Sequence, residues 1–236
     1  MPLPKLKDRV LYYGQQRTQE WHDLRLGKFT SSEIYKLMQK PRSSKSEFSA
    51  SGLTYISAKA QEVCYGVPSP SASSLAIQWG EEWEPIAAEQ FDKTYLHPRL
   101  LFKDDEDLQF IASESLPTGG SPDDVVDGMP AEYKCPYNPT NHFKHCQINT
   151  LEELLAFDKQ KAWQLIHQMW LMRADGAYWC SFDPRLLHSE KCPHRALHVI
   201  EVEQIQEACD QIEERVAAAH ELMKKEVERF LNQPAA

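Results

Sequence analysis

Residues 119–136 read GGSPDDVVDGMPAEYKCP, and this stretch decides the fold. Asp123 and Asp124 follow a Ser-Pro turn signal. Val125 and Val126 begin a short strand, and Asp127-Gly128 is a strong hairpin-turn dipeptide. Ala131-Glu132-Tyr133-Lys134 reads as the returning strand. Alternate side chains of a strand share a face, so Glu132 and Lys134 point together while Tyr133 points away. The hairpin brings Asp123 back towards that pair. The expectation is two carboxylates and one ammonium converging on one point.

Such a trio suits metal-dependent phosphodiester cleavage. Mg²⁺ takes oxygen ligands, keeps several waters and is often held by one or two carboxylates plus substrate phosphate. Asp123 and Glu132 are the candidate ligands, helped by the main-chain carbonyl of Tyr133. A bound metal acidifies water and offsets phosphate charge. Lys134 would orient or deprotonate that water, or steady the phosphorane. Spacing alone leaves a second reading open, a surface hairpin carrying a Glu–Lys pair.

Ser121-Pro122-Asp123 followed by Glu132-Tyr133-Lys134-Cys135-Pro136 resembles the PD-(D/E)xK nuclease signature. More narrowly, the chain is similar to the phage lambda exonuclease, or YqaJ-like viral recombinase, family. The similar segments are WHDLRLGKFTSSE at 21–33, KPRSSK at 40–45, EVCYGV at 62–67, WGEEWE at 79–84 and YWCSFDPR at 178–185. They follow the family's order and spacing from about Trp21 to Val202. The resemblance implies a restriction-endonuclease-like α/β core, a central mixed β-sheet flanked by helices. It also implies a role for several further residues. Arg25 and Ser32 match residues that contact the 5′-phosphate of a DNA end. Ser121 belongs to the same DNA-facing set, and Arg42 matches an arginine that reaches into the DNA. Glu84 matches a glutamate beside the metal site, a third carboxylate for a second ion or its water. Ile77 lies where the family places an apolar wedge at the terminal base pair. Gln164 is the first glutamine of a family Q-x-Q pattern whose second position is Ile166 here.

Composition is ordinary for a soluble globular protein. The 236 residues are 42% hydrophobic and 26% charged, enough for one α/β domain with a sizeable core. We expect a single exonuclease domain over 1–236, with a lead-in over 1–20 and a C-terminal helix over 203–231. No apolar run is long enough for a membrane span and no signal-peptide core is evident, so the expected location is cytoplasmic. The six cysteines have no disulfide-framework spacing, and reduced thiols are the expectation. His142, His145 and Cys146, and likewise His188, Cys192 and His194, lie close in sequence without a CxxC pattern; structural zinc is the lesser reading. A net charge of −9 argues against diffuse attraction to DNA and for local basic sites, such as the cluster Lys36, Lys40, Arg42 and Lys45.

Along the chain, Trp21–Leu26 reads as a short helix stopped by Gly27, and Ser32–Gln39 as a helix capped by Thr30, Ser31 or Ser32. A helix start of that kind is an anion site. Lys40–Ser51 reads as a loop, Leu53–Val63 as a helix, and Gly66–Ser74 as a connection. Pro85 predicts that the next helix starts near Glu82 or Trp83 and runs to Tyr95. Leu100–Ile111 suggests two strands around the acidic turn Asp104–Asp107, and Asn138–Thr150 a polar connection. Leu151–Met172 is helical in two pieces, with Lys161, His167 and Gln168 read as a solvated face. Two strands, Ala177–Phe182 and Ala196–Val202, bracket a loop at Arg185, a candidate DNA or subunit contact.

The combined expectation is a Mg²⁺-dependent exonuclease, with Mn²⁺ a possible substitute and two ions per site. It would degrade one strand of double-stranded DNA from the 5′ end and leave a 3′ single strand for recombination. The resemblance further implies a homotrimeric ring around DNA and a possible single-strand annealing partner. A sequence-specific endonuclease on the same core and a noncatalytic DNA-binding scaffold are the alternatives.

Overall fold

The computed structural model describes residues 8–42, 45–70, 74–95, 108–190, 195–201 and 205–233. The central hairpin forms as the sequence dictates. Strand β5 (Asp124–Val126) and strand β6 (Met129–Lys134) pair antiparallel, Asp124 opposite Ala131. Asp127 (φ 52°) and Gly128 (φ 80°) both take the left-handed conformation that a tight two-residue hairpin turn requires. Behind β6, strand β7 (Gly176–Phe182) runs parallel, and β8 (Arg195–Glu201) runs antiparallel to β7. A second sheet has the order β1 (Arg9–Tyr13), β3 (Leu108–Ser113), β4 (Thr118–Gly120), β2 (Phe29–Thr30). The expected mixed α/β architecture is therefore present, with the strands hydrogen-bonded as two four-stranded mixed sheets.

Strand β1 corrects the expectation of a loosely ordered lead-in over 1–20. Its residues alternate apolar and polar too weakly to announce a strand, and pairing with β3 supplies the order.

The parallel β6–β7 connection contains three helices, α5 (Pro139–His145), α6 (Leu151–Phe157) and α7 (Lys159–Met172). Helix α5 corrects the reading of a plain connection. Asn138 caps it and Pro139 occupies its first turn, a start signal that the polar composition obscured. Helix α6 opens with a capping box between Thr150 and Glu153. Nine of the fourteen residues of α7 are buried. A helix buried on nearly every side lies inside the molecule rather than on it. His167 and Gln168 are fully buried, contrary to their reading as solvated.

Helix α4 (Leu75–Tyr95) covers the opposite face of β6, where Phe91 packs against Tyr133 and Tyr178 with ring centroids 5.7 and 5.8 Å apart. It begins seven residues before Glu82 and carries Pro85 inside it, so the expected start was wrong. Proline costs a helix one backbone bond and some bending, and packing of Ala87, Ala88 and Phe91 on the sheet outweighs that cost.

Helix α1 (Gln19–Arg25) is capped by Thr18, and Gly27 (φ 65°) lets the chain turn into β2. The expected helix from Ser32 is reduced to α2 (Tyr35–Met38), with no side-chain cap. Thr30 is spent in β2, and the hydroxyl of Ser31 bonds elsewhere. Helix α3 (Ala50–Tyr65) starts earlier than expected, capped by Ser49. Helix α8 (Gln206–Leu231) buries Ile212, Val216, Ala219 and Met223 in the same cluster as α7, so its apolar stripe is core. The upstream strand expected within Leu100–Ile111, including Asp104–Asp107, lies outside the described residues, as do Cys192 and His194. Among the described residues no helix is long and apolar enough to cross a membrane.

Candidate nuclease site between the hairpin and a buried helix

Strand alternation puts Glu132 and Lys134 on the face of β6 that meets α7, and Tyr133 on the face that meets α4. Lys134 Nζ donates to Glu132 Oε1 and lies 3.6 Å from Asp123 Oδ2. The amide of Tyr133 donates to the same Asp123 oxygen at 2.8 Å. The hairpin thus brings Asp123, Glu132 and Lys134 together.

Glu132 is 1% exposed, and a buried carboxylate needs partners. Helix α7 supplies two. Gln164 Nε2 donates to Glu132 Oε1, and Gln168 Nε2 donates to Oε2 at 2.7 Å. Sequence reasoning placed Gln164 near this element but missed Gln168. The available signal was the four-residue spacing of two glutamines, one helical turn.

Three carboxylates share this corner. Burial first, and then the charges of Glu132 and Glu84, push the Asp123 carboxyl up to about 8, with Lys134 and the Tyr133 amide opposing. Burial alone would depress Lys134; the charges of Glu132, Asp123 and Glu84 outweigh it and hold the ammonium well above its ordinary value. Glu84 reaches the site from α4, but its Oε2 is 3.2 Å from Arg17 Nη2. Arg17 lies in the stretch read as lead-in and was not anticipated.

A divalent cation fits this donor set. Negative charge exceeds positive where Asp123, Glu132 and Glu84 meet Lys134. The Oε1 atoms of Gln164 and Gln168 are buried acceptors without donors, which adds to that excess. Among the described residues no three His, Cys, Asp or Glu side chains converge as a closed metal cage. Two protein carboxylates with open positions suit Mg²⁺, which retains waters and substrate oxygens. The groups read as zinc candidates are otherwise engaged where they are described. His142 Nδ1 and His145 Nδ1 lie 2.9 and 3.1 Å from Ser181 Oγ, and Cys146 Sγ lies 3.5 Å from His142 Nε2.

A cleft of about 490 Å³ opens beside the trio, lined in part by Lys134, Glu84, Arg17, Lys161 and Ile77. Ile77 is 46% exposed at this opening, so the expected wedge residue is at the site. A second cleft of about 600 Å³ holds Arg25 and Ser32 together, with Trp21, Thr30 and Gln160 in its wall. The Arg25 guanidinium stacks 4.0 Å over the Trp21 ring. Burial lowers its pKa, with Tyr55, Glu33 and Glu62 opposing at longer range, and among the described residues no carboxylate lies within ion-pair distance of it.

Specific bonds hold the wall of the second cleft. Trp21 Nε1 donates to Ser121 Oγ at 2.8 Å, and that hydroxyl donates to Gln109 O at 2.8 Å. Ser121 thereby ties α1 to β3. Gln160 Nε2 donates to Ser32 O at 3.3 Å. His167 braces the turn before Ser32. Thr118 Oγ1 donates to Phe29 O at 2.5 Å, so it accepts from His167 Nε2 at 3.0 Å. His167 Nδ1 then accepts from Ser31 Oγ at 2.8 Å. Burial, and secondarily Arg9, lowers His167 to about 3, which keeps this relay neutral. Gly120 permits the approach; a Cβ there would meet Ser31 Oγ at 2.0 Å. Arg42 is exposed on its loop and lines neither cleft. Arg185 makes the loop ion pair that competed with a DNA role, its Nε 2.7 Å from Asp183 Oδ1.

Residues 20–175 match the YqaJ-like viral recombinase domain. The chain belongs to that family. The matched region contains both clefts' key residues, from Arg25 to Gln168. In structure, this YqaJ-like chain is similar to an alkaline exonuclease, LHK-Exo, from Laribacter hongkongensis. The TM-score is 0.68 at 24% identity, over 90% of this chain and 96% of that one. The same protein in complex with dAMP gives 0.69 at 24% identity and the same coverage. A phage-related exonuclease from Haemophilus somnus 129PT gives 0.65 at 19% identity, over 86% and 96% of the two chains. These likenesses establish the shared fold. No curated protein matches the sequence.

Proposed function

We propose that this YqaJ-like protein is a divalent-cation-dependent exonuclease that degrades one strand of duplex DNA from its 5′ end. The observation that carries the proposal is the ammonium of Lys134 bonded to Glu132 and 3.6 Å from Asp123, beside a separate arginine-lined cleft. The fold shared with an alkaline exonuclease, LHK-Exo, which was also crystallised with dAMP, supports the same chemistry.

Asp123 and Glu132 would hold Mg²⁺, or Mn²⁺ in its place, with the Tyr133 carbonyl as a further donor. When bound, the ion would polarise the scissile phosphate and acidify a water. A second ion would draw on Glu84 at the expense of its contact with Arg17. Gln164 and Gln168 fix the Glu132 carboxylate so that its lone pairs face one way. Lys134 is held as an ammonium, which favours donating to the attacking water or the phosphorane over accepting a proton. In the reaction, water oxygen bonds to phosphorus and the P–O3′ bond breaks. One water proton leaves to solvent, the 3′ oxygen gains a proton, and a 5′-mononucleotide departs. Arg25 and Ser32 would take the terminal 5′-phosphate, with Ile77 against the last base pair and Arg42 free to reach along the duplex.

The remaining 3′ strand would serve recombination, with a single-strand annealing protein as the natural recipient. A homotrimeric ring would retain DNA topologically where a net charge of −9 does not. The decisive experiment compares linear duplex with covalently closed circles in Mg²⁺ and in EDTA. We expect mononucleotides from the 5′ ends of linear DNA, intact circles, and no product in EDTA. Cleavage of circles would make the protein an endonuclease. Light scattering should give a trimer mass, and a monomer would remove the ring while leaving the nuclease chemistry in place.

A further inference from the structure

Lys161 was read from sequence as a solvated face residue, and the structure puts it elsewhere. It lies in the first turn of α7, three residues before Gln164 and seven before Gln168. Those spacings place all three side chains on one helical face. Gln164 and Gln168 both bond Glu132, so the face is the one that meets β6. Lys161 extends the row one turn further, to the cleft that Lys134 and Glu84 line.

Its surroundings are costly for a cation. The side chain is partly buried, and its pKa is lowered first by burial and then by the neighbouring Lys134 charge. The carboxylates of Glu132, Asp158 and Asp123 oppose only at a distance. Among the described residues Lys161 Nζ has no hydrogen-bond or ion-pair partner. Its backbone amide donates to Asp158 Oδ1 at 3.2 Å. Lys134, by contrast, is committed to Glu132. Among the described residues, an ammonium without an anion thus stands beside a paired one in the same cleft. The anion that reaches this point in a nuclease is substrate phosphate.

We infer that Lys161 is a second active-site lysine, which binds the backbone phosphate at the scissile position while Lys134 stays with Glu132 and the attacking water. The assignment rests on the nuclease proposal and adds a residue to it. It also gives the two lysines separate work: one is fixed by the protein's own carboxylate, the other waits for the substrate. Charge stabilisation of a phosphoryl centre by a preorganised cation is a recurrent source of rate.

The test measures duplex binding without cleavage, using a 5′-phosphorylated oligonucleotide duplex in Ca²⁺ across a KCl series, for wild type, Lys161→Gln and Lys161→Arg. Loss of one phosphate contact makes the slope of log affinity against log salt shallower by about 0.9. We expect that change in the Gln variant and recovery in the Arg variant. In Mg²⁺, single-turnover cleavage should fall about ten- to a hundredfold for Gln, with partial recovery for Arg. The melting temperature of the Gln variant should equal or exceed wild type, because an unpaired buried charge has been removed; a clear drop would mark a structural role and overturn the assignment. Wild-type salt slope and cleavage rate in the Gln variant would overturn it too, leaving the nuclease proposal intact. If the wild type neither binds nor cuts duplex DNA, both fall together.

Discussion

Two clefts flank the first turn of α7, and they differ in how their charges are paired. On one side Asp123, Glu132 and Glu84 crowd around Lys134, and burial together with the neighbouring carboxylates pushes the Asp123 carboxyl up to about 8. On the other, Arg25 lies over Trp21, and among the described residues no carboxylate lies within ion-pair distance of it. The first cleft adjoins several carboxylates around one ammonium, whereas in the second Lys59 pairs with Glu62 and Arg25 rests on a ring. The bond from Trp21 to Ser121 ties the wall of the second cleft to the turn that carries Asp123. The difference teaches how a chain of net charge −9 handles a polyanion. It need not be basic overall if single cations are held where substrate phosphate would arrive.

The sharpest way to break this comparison is to empty the first cleft of its ammonium. Lys134→Ala should reduce cleavage by about a hundred- to a thousandfold, the scale of losing one preorganised donor at the reacting centre. Folding and binding of duplex ends should persist, because the second cleft is untouched. Single-turnover digestion of linear duplex, alongside end binding in Ca²⁺, measures both. A variant that cuts at the wild-type rate would show that the carboxylate cleft is not the reacting centre.

Emptying the second cleft should alter selectivity more than chemistry. Wild type should favour a 5′-phosphate over a 5′-hydroxyl end by about tenfold or more, from a charge-assisted, two-pronged contact with Arg25. Arg25→Ala should erase that preference, and Arg25→Lys should restore only part, since an ammonium lacks the guanidinium fork. Paired end-labelled substrates, phosphorylated and not, give the ratio directly. Equal digestion of both by wild type would leave the second cleft without its assigned ligand.

The two clefts were not equally legible. Asp123, Glu132 and Lys134 could be placed from sequence because a strand has a period of two and Asp-Gly announces the turn; local geometry alone fixes them. The Arg25 cleft required the chain from 21 to 33 to fold against 160, and local rules mispredicted its helix. They assigned Thr30, Ser31 and Ser32 to a cap, whereas β2 takes Thr30 and the His167 relay takes Ser31. The polar face of α7 misled for a related reason. Lys161, His167 and Gln168 are ordinary surface residues in composition, and their burial follows only from α7 being covered by other elements. Strand β1 and Arg17 were invisible for the same cause: their partners, β3 and Glu84, lie far along the chain.

The smallest predicted effect tests the charge surplus of the first cleft without substrate. In the unfolded chain Asp123 loses its proton near its ordinary value of 3.8, and in the metal-free folded protein only near 8. Between those values the folded state binds more protons than the unfolded one, so this residue makes stability fall as pH rises. Its contribution is fully present below the unfolded value and lost on passing through the folded one. Asp123→Asn cannot ionise and should escape the loss. In EDTA, the melting temperature of the Asn variant should exceed wild type by on the order of a few degrees at about pH 9, with the two converging near about pH 4. Added Mg²⁺ should close the gap from the wild-type side, because the cation takes the place of the proton, and it should do so more at alkaline pH than at acid pH. Parallel melting curves for the two proteins across the pH range would mean that Asp123 titrates normally, and that the surplus of negative charge which invites a metal is not there.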